Sequence, residues 1–267
     1  MKLTLVVVLT IAVMSASAHL LRSETPAVAV ADTVALIKQA LADAKSQEED
    51  ERLSTLQAAA KRVLEVQPNN LLISTKLQAA LDQSEADTKS QAKSLQTALS
   101  ESAEILNFRM KKEADLPKGF PEPGSLGEIH LKQYPAYRLA RAASKADSAF
   151  FTLFNHIKAN KIEMTAPVEM RFDNADQKYQ QIDMAFLYGE PDWGKLGDAG
   201  KGVTVQDIPE MTTVAIGLTG DFDPKSATYI DALEAWLARH APEYERDGKV
   251  RVMGYNSPVV WKSQRFF

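Results

Sequence analysis

The chain has 267 residues, of which 45% are hydrophobic and 25% charged, with a net charge of −4 and no cysteine. These values are typical of a globular protein with one large or two modest domains. They exclude disulfides, thiolate metal ligands and cysteine nucleophiles, and the acidic balance gives no reason to expect nucleic-acid binding.

The N-terminus has the three parts of a secretory signal peptide. Lys2 supplies a positive charge, residues 3–14 form an almost unbroken apolar run, and Ala16 and Ala18 are the small residues that precede a cleavage site. A run of about 12 residues is too short to span a bilayer as a permanent helix. We therefore expect residues 1–18 to be removed and the mature protein to be exported, either periplasmic or secreted, with no integral membrane segment. An uncleaved anchor is the alternative.

Residues 31–108 form the first of two regions that differ in composition. They contain no glycine and a single proline, Pro68, and their apolar residues recur at helical spacing. The pattern breaks at residues 67–70, because proline disfavours helix in the residue before it. We predict a helical hairpin or a coiled-coil-like spacer. The stretch between Leu81 and Leu95, which is nearly all polar residues and alanine, is predicted as solvated helix.

A linker is predicted over residues 109–126, where prolines and glycines cluster. These residues are Pro117, Gly119, Pro121, Pro123 and Gly124. After the linker the composition changes to β-branched and aromatic runs that favour strands. The sequence therefore predicts a second domain of different class over residues 127–267.

Two segments of this second domain have the same order of elements. Residues 129–141 and residues 203–216 each predict a strand, a turn at a proline and another strand. A helix follows each of them. Its apolar stripe is formed by Phe150, Phe151, Phe154 and Ile157 in the first copy, and by Ile230, Leu233, Trp236 and Leu237 in the second.

Further strand material follows each helix. It covers residues 161–172 and 182–188 in the first copy, and residues 250–255 and 263–267 in the second. Two βαββ units predict an α+β domain with an antiparallel sheet and two helices, preceded by the all-α segment.

Several motifs of this domain resemble those of the SOUL family of haem-binding proteins. Residues 161–168 (KIEMTAPV) are similar to the most distinctive motif of that family. Residues 134–137 (YPAY) and helix residues 151–157 (FTLFNHI) precede it in the family's order, and residues 254–258 (GYNSP) are similar to its GYNxP signature. The family's closing motif is replaced here by residues 264–267 (QRFF).

The resemblance covers residues 127–267 and implies a duplicated α+β sheet or distorted barrel that binds a tetrapyrrole in a shallow apolar groove beside the first helix. In it, Phe150, Phe154 and Asn155 fall at haem-contacting positions. Phe150 and Phe154 are one helical turn apart and Lys158 follows one turn later, so one helix face offers two rings and a cation. The alternative is that these rings are core residues that pack on the sheet.

The axial iron ligand is the feature in which this sequence departs from the family. Some SOUL members place a histidine on the first strand, at the position of Lys132 in this chain. His130 lies two residues earlier, on the same face of the strand, and is the candidate iron ligand. His156 and His240, on the first and second helices, are the other candidates. We expect iron ligation to be weak or absent.

We predict that the protein binds haem or another porphyrin reversibly and mainly by hydrophobic contact, without catalysis. Two other functions stay open. The first is a protein-interaction module in which residues 31–108 dock a partner and the C-terminal domain is a scaffold. The second is an enzyme that acts on a tetrapyrrole or another small apolar molecule, although the sequence has no GxSxG, phosphate-loop or HExxH motif.

Overall fold

A computed structural model of the chain describes residues 5–6, 10–11, 27–83, 87–143, 146–175, 178–221, 227–246 and 250–267. The chain divides into two compact units, one built from residues 23–109 and 125–129 and the other from the rest. The predicted signal peptide, residues 1–18, falls almost wholly outside the described residues. Only β1 (Leu5–Val6) and β2 (Thr10–Ile11) are described there, as an antiparallel pair.

Four helices make up the first unit. They are α1 (Ala27–Asp43), α2 (Glu49–Val66), α3 (Leu71–Leu81) and α4 (Thr88–Asn107). Buried residues recur at intervals of three and four along the helices, as expected for helices that share one core. Examples are Ile37, Leu56, Val63, Ile73, Leu77, Leu95 and Leu99. The predicted helical segment is confirmed, and with four helices it is larger than one hairpin.

The predicted break after α2 is confirmed, and the structure adds a second break. Asn70 begins α3 by accepting a hydrogen bond from the backbone N–H of Ile73 at 3.1 Å. The prediction of continuous helix beyond Leu81 is wrong at its start. Helix α3 ends at that residue, and Asp87 begins α4 by accepting from the N–H of Ser90 at 3.0 Å. A carboxylate at this position satisfies a backbone N–H that has no partner within the helix.

Residues 125–129 belong to the helical unit and pair with the start of α3. The backbone N–H of Leu71 donates to the carbonyl of Gly127 at 2.8 Å. Gly127 has a φ of 79°, and a Cβ there would stand 2.5 Å from Oδ1 of Asn70, so this close approach requires glycine. The segment predicted as a linker, residues 109–126, is thus shared between the two units.

The second unit combines two helices with the strands that follow β2. Its elements are β3 (Ile129–Tyr134), β4 (Tyr137–Ala142), α5 (Ala146–Ala159), β5 (Val168–Ala175), β6 (Lys178–Leu187), β7 (Gly197–Asp198), β8 (Val203–Ile208), β9 (Met211–Ile216), α6 (Ala227–His240) and β10 (Val250–Gly254). One antiparallel sheet has the order β10–β5–β6–β4–β8–β7, and β3 pairs with β9 in a two-stranded sheet. The described strands therefore form open sheets and no closed barrel.

The predicted duplication is visible in the order of these elements. Strands β3 and β4, helix α5 and strands β5 and β6 form one copy, and β8, β9, α6 and β10 form the other. The apolar stripe predicted for α6 is confirmed by three of its members, since Ile230, Leu233 and Leu237 are buried. The α+β class is therefore confirmed.

Two strand boundaries differ from the prediction. Strand β5 begins at Val168 rather than near Lys161, since Pro167 has no N–H to donate to a strand ladder. In the strand predicted over residues 263–267, Ser263 and Gln264 lie in a turn, and Phe266 forms a β-bridge with Thr219. Backbone hydrogen bonds join Phe267 to Leu218 in both directions and the N–H of Gly220 to the carbonyl of Arg265, so the end of the predicted strand pairs with residues 218–220.

A network of buried charges joins the strands of the large sheet. Glu169 on β5 accepts hydrogen bonds from Arg141 and from the Tyr137 hydroxyl, each at 2.7 Å, and lies 3.5 Å from Arg251. Arg141 also donates to Asp183 at 2.7 Å. Burial alone would raise the pKa of Glu169, but the two guanidinium groups and the tyrosine hydroxyl lower that pKa to about 2. Four strands are therefore tied together by one buried carboxylate and its partners.

Candidate functional site

Helix α5 packs one side on the sheet and leaves an aromatic side exposed. Ala149, Leu153 and Ile157 are buried at intervals of four residues, and α5 contacts β4, β6 and β8. In contrast, Phe151 is 65% exposed and Phe154 is 42% exposed. The alternative in which the rings of Phe150 and Phe154 are core residues is therefore wrong for Phe154, whereas Phe150 is half-buried. Leu153 and its neighbours on the same face occupy the sheet-facing positions instead.

The exposed side of α5 presents a pair of parallel rings. The centroids of Phe150 and Phe154 are 6.2 Å apart, and their planes differ by 9°. Phe150 also meets Phe186 of β6 edge to face at 5.2 Å, and Phe151 meets Phe150 at 5.9 Å. We call Phe150, Phe151 and Phe154 the α5 ledge. Because Phe150 packs on Phe186 of the sheet, one ring of the ledge is anchored.

The loop that follows β10 carries two further exposed apolar side chains. Val259 is 89% exposed and Trp261 is 81% exposed. In the strand ladder, Phe186 lies opposite Val168, and Val168 lies opposite Gly254, where β10 ends. The strand under the ledge and the start of the loop are thus two strand spacings, about 10 Å, apart.

Hydrogen bonds fix both ends of this loop. The side-chain amide of Asn256 donates to the carbonyl of Lys111 at 2.7 Å, and its oxygen accepts from the N–H of Phe266 at 3.0 Å. Lys262 forms an exposed ion pair with Asp221 at 2.7 Å. An exposed pair of this kind is worth about 0–1 kcal/mol. The ammonium group is therefore able to exchange its partner for a ligand carboxylate.

The polar residues predicted on α5 lie beside the ledge. Asn155 directly follows Phe154, and Lys158 lies one turn further along the helix. Both side chains are exposed. The helix therefore brings four predicted contact residues together, in the arrangement of two parallel rings with an amide and a cation at one end.

The two residues predicted on the first strand lie elsewhere in the unit. His130 and Lys132 are both buried on β3, which pairs with β9. Lys132 donates from Nζ to the carbonyl of Glu122 at 2.9 Å. A Cβ built on Gly124 would stand 2.2 Å from Cε1 of His130, so that imidazole ring lies directly against the backbone. Neither side chain is presented to solvent beside the ledge.

The other described histidines are engaged by neighbouring groups. Nε2 of His156 lies 2.8 Å from the hydroxyl oxygen of Tyr188, and burial lowers the pKa of His156. Nδ1 of His240 lies 2.9 Å from the carbonyl of Trp236, whose ring stacks on the imidazole at 4.7 Å. Within the described part of the chain, no three histidine, aspartate or glutamate side chains cluster as metal ligands do.

Comparison with known proteins places the second unit in a family. The sequence profile of the SOUL heme-binding protein matches residues 122–266, more than half of the chain. The chain belongs to the SOUL heme-binding protein family. Its SOUL region contains the α5 ledge, His130, Lys132 and the loop after β10, whereas α1 to α4 precede it. No curated protein matches the chain.

Two solved structures of EcmrR show a partial likeness to the chain. The first is the cryo-EM structure of an EcmrR–DNA complex in EcmrR-RPo, with 18% identity, a TM-score of 0.39 and coverage of 52% of this chain and 54% of that one. The second is the crystal structure of the EcmrR C-terminal domain, with 16% identity, a TM-score of 0.39 and coverage of 52% and 92%. The chain therefore spans about half the length of the first of these proteins.

The sequence analysis did not identify Val259 and Trp261, which the structure leaves exposed in the loop after β10. The available signal was their position: large apolar residues that closely follow Pro258 in a stretch with little room for a strand.

No helix in the described residues has the length and apolar character needed to cross a membrane.

Proposed function

We propose that this SOUL-family protein binds haem or a related porphyrin reversibly on the α5 ledge, without catalysis. The observation that carries the proposal is the parallel pair of Phe150 and Phe154, in which Phe154 is exposed and Phe150 packs against Phe186 of the sheet. Large aromatic side chains that stay exposed in a preformed arrangement mark ligand or partner surfaces.

The ledge matches the chemistry of a porphyrin. Its rings offer an aromatic apolar surface, and burial of one phenylalanine side chain is worth about 1.5–3 kcal/mol. Lys158 is placed to pair with a propionate, and the Asn155 amide to donate a hydrogen bond to one.

We also propose that haem iron receives no histidine from the chain when the porphyrin lies on the ledge. His130 meets the backbone at Gly124 and is buried, so ligation by it requires the segment around residues 122–124 to move. His156 is held by Tyr188 on nearly the opposite side of α5 from Phe154. Hydrophobic contact and the propionate cations then supply the affinity.

Titration of the full chain with haem and with metal-free protoporphyrin tests this function. We expect both to bind saturably near one equivalent, with dissociation constants that differ by less than about tenfold. An iron–histidine bond worth more than about 1.4 kcal/mol would make haem bind more than tenfold tighter than the metal-free porphyrin, and we expect no such bond. Haem binding is followed by Soret absorbance and porphyrin binding by tryptophan quenching. Binding of haem but not of protoporphyrin would contradict the proposal that the iron receives no histidine. Binding of neither compound would contradict the proposed function.

Absence of turnover is tested in the same samples. We expect haem and protoporphyrin to be recovered chemically unchanged after incubation with the protein, as judged by chromatography against samples without protein. Appearance of a new tetrapyrrole at a rate proportional to protein concentration would favour the enzyme alternative.

We further propose that the protein is exported. This rests on Lys2, the apolar run over residues 3–14 and the small residues Ala16 and Ala18. N-terminal sequencing of the protein recovered from its host is expected to begin after Ala18. A start at Met1 in a cytoplasmic fraction would contradict export.

A further inference from the structure

Three loops meet the large sheet at one of its ends. Strands β6 and β10 run in the same direction because both are antiparallel to β5, and Val168 at the start of β5 lies opposite Phe186 and Gly254. The loop that enters β5 and the loops that leave β6 and β10 are therefore spread over two strand spacings, about 10 Å. We call this region, residues 160–167, 188–196 and 255–265, the loop end of the second unit.

The loop end carries most of the exposed large apolar side chains that the structure describes. Five such residues in its three loops are between 37% and 89% exposed: Met164, Trp193, Leu196, Val259 and Trp261. The only others of this kind among the described residues are Phe151 and Phe154 of the α5 ledge. Large apolar residues gathered in one region mark a contact surface, whereas single residues scattered over a protein do not.

One segment of the chain, residues 113–118, ties the three loops together. Its Glu113 carboxylate accepts a hydrogen bond from the N–H of Ser257 at 2.7 Å. Further along the segment, one backbone carbonyl accepts from the N–H of Ala166, and one backbone N–H donates to the carbonyl of Gly189, each at 2.9 Å. The three loops are therefore fixed relative to one another, and their side chains are in place before a partner arrives.

Backbone carbonyls at the tip of the loop after β10 are already hydrogen-bonded within that loop. The carbonyl of Ser257 accepts from the N–H of Val260 at 3.1 Å, and the carbonyl of Trp261 accepts from the N–H of Arg265 at 2.9 Å. The Arg265 guanidinium donates to the carbonyls of Pro258 and Val260. An unsatisfied carbonyl is costly to move out of water, so this bonding lowers the cost of placing the tip in lipid.

The charges of the loop end balance, which favours an apolar contact over an electrostatic one. The three loops and residues 113–118 together carry five basic and five acidic side chains. Tryptophan is enriched where a bilayer meets water, and two of the five exposed residues are Trp193 and Trp261. Separate loop tips suit a fluid interface, which adapts to their shape, better than a rigid protein surface. We infer that the loop end inserts its apolar tips reversibly into the surface of a lipid bilayer.

Tryptophan fluorescence of the full chain with dioleoyl phosphatidylcholine vesicles tests this inference. The apolar run at residues 3–14 is able to enter vesicles by itself, so the signal must come from the loop end. Trp193→Phe combined with Trp236→Phe leaves Trp261 as the only tryptophan. We expect vesicles to shift its emission to the blue, and phosphatidylcholine brominated on its acyl chains to quench it. The quenching should be the same at low and high salt, because charge does not drive the contact.

Further substitutions in this single-tryptophan background separate the loop end from other contacts. Val259→Asp and Leu196→Asp are each expected to lower the insertion equilibrium by about tenfold or more, since each replaces an apolar side chain with a charge. Phe154→Asp makes the same change on the α5 ledge and should leave the quenching of Trp261 as it is.

Three results would overturn the inference. The first is no blue shift and no quenching in the folded background chain, which would leave the loop end to a protein partner. The second is equal quenching in Val259→Asp, Leu196→Asp and the background chain, because the N-terminal run alone would then bring the tryptophan near lipid. The third is loss of quenching in Phe154→Asp, because the ledge would then be the contact.

Discussion

Replacing Glu169 with glutamine is expected to destabilise the second unit by about 3–5 kcal/mol, because it leaves buried guanidinium groups without their carboxylate. Glu169 is fully buried and is the common partner of Arg141, Arg251 and the Tyr137 hydroxyl. The glutamine amide keeps the volume of the side chain but not its charge. The network therefore becomes a buried net positive charge in the middle of the sheet.

Urea unfolding followed by tryptophan fluorescence measures this effect. All three tryptophans, Trp193, Trp236 and Trp261, lie in the second unit, so the signal reports on that unit alone. Glu190→Gln is the matched control, since Glu190 forms an exposed pair with Lys118 at 3.1 Å, and its loss should cost less than about 1 kcal/mol. Equal midpoints for the two variants would contradict a stabilising role of the buried network.

The same network makes stability depend on pH. Folding lowers the pKa of Glu169 from 4.5 to about 2. A lowered pKa means that the ionised carboxylate stabilises the folded state fully above about pH 4.5, and that this contribution is lost as the pH falls toward about 2. We expect the stability difference between wild type and Glu169→Gln to shrink over that interval. A constant difference would indicate that the carboxylate is not the titrating group.

Phe154→Asp is expected to weaken haem binding by at least about tenfold. The change removes one ring of the parallel pair, worth about 1.5–3 kcal/mol of apolar contact, and sets a carboxylate near the propionates. Phe154 is partly exposed on α5, so circular dichroism should show an unchanged fold. Soret titration measures the affinity.

Leu196→Asp provides the control for Phe154→Asp. Leu196 is another exposed apolar residue of the same unit, in the loop between β6 and β7. Leu196→Asp introduces the same negative charge at a position outside α5, so the haem affinity of this variant should match that of the wild type. If both variants lose haem to the same extent, the loss reflects overall charge and not the ledge.

The duplicated fold could be predicted from the sequence because its signals are local. Alternating strands, prolines at two turns and helical spacing of apolar residues all act within a few positions. The boundary between α3 and α4 was harder to predict from the sequence. A polar stretch that contains a capping residue such as Asp87 has the same composition as a continuous helix exposed to solvent. Which elements form was therefore predictable, while several of their ends were not.

The candidate site was predictable only in part. On α5, the phenylalanines and the set of Ala149, Leu153 and Ile157 both follow helical spacing, and packing on the sheet decides which set is buried. His130 and Lys132 share one strand face, as predicted, but the backbone at Gly124 and Glu122 covers them. Contacts between residues distant in sequence set both outcomes, and no local pattern encodes them.

The most direct test of the central claim is amide NMR mapping of the full chain with metal-free protoporphyrin, which adds no paramagnetic iron. We expect the largest chemical-shift changes at α5 residues 150–158. Changes confined to the helical unit, or to His156, Tyr188 and Trp193 without the ledge, would contradict porphyrin binding at the α5 ledge.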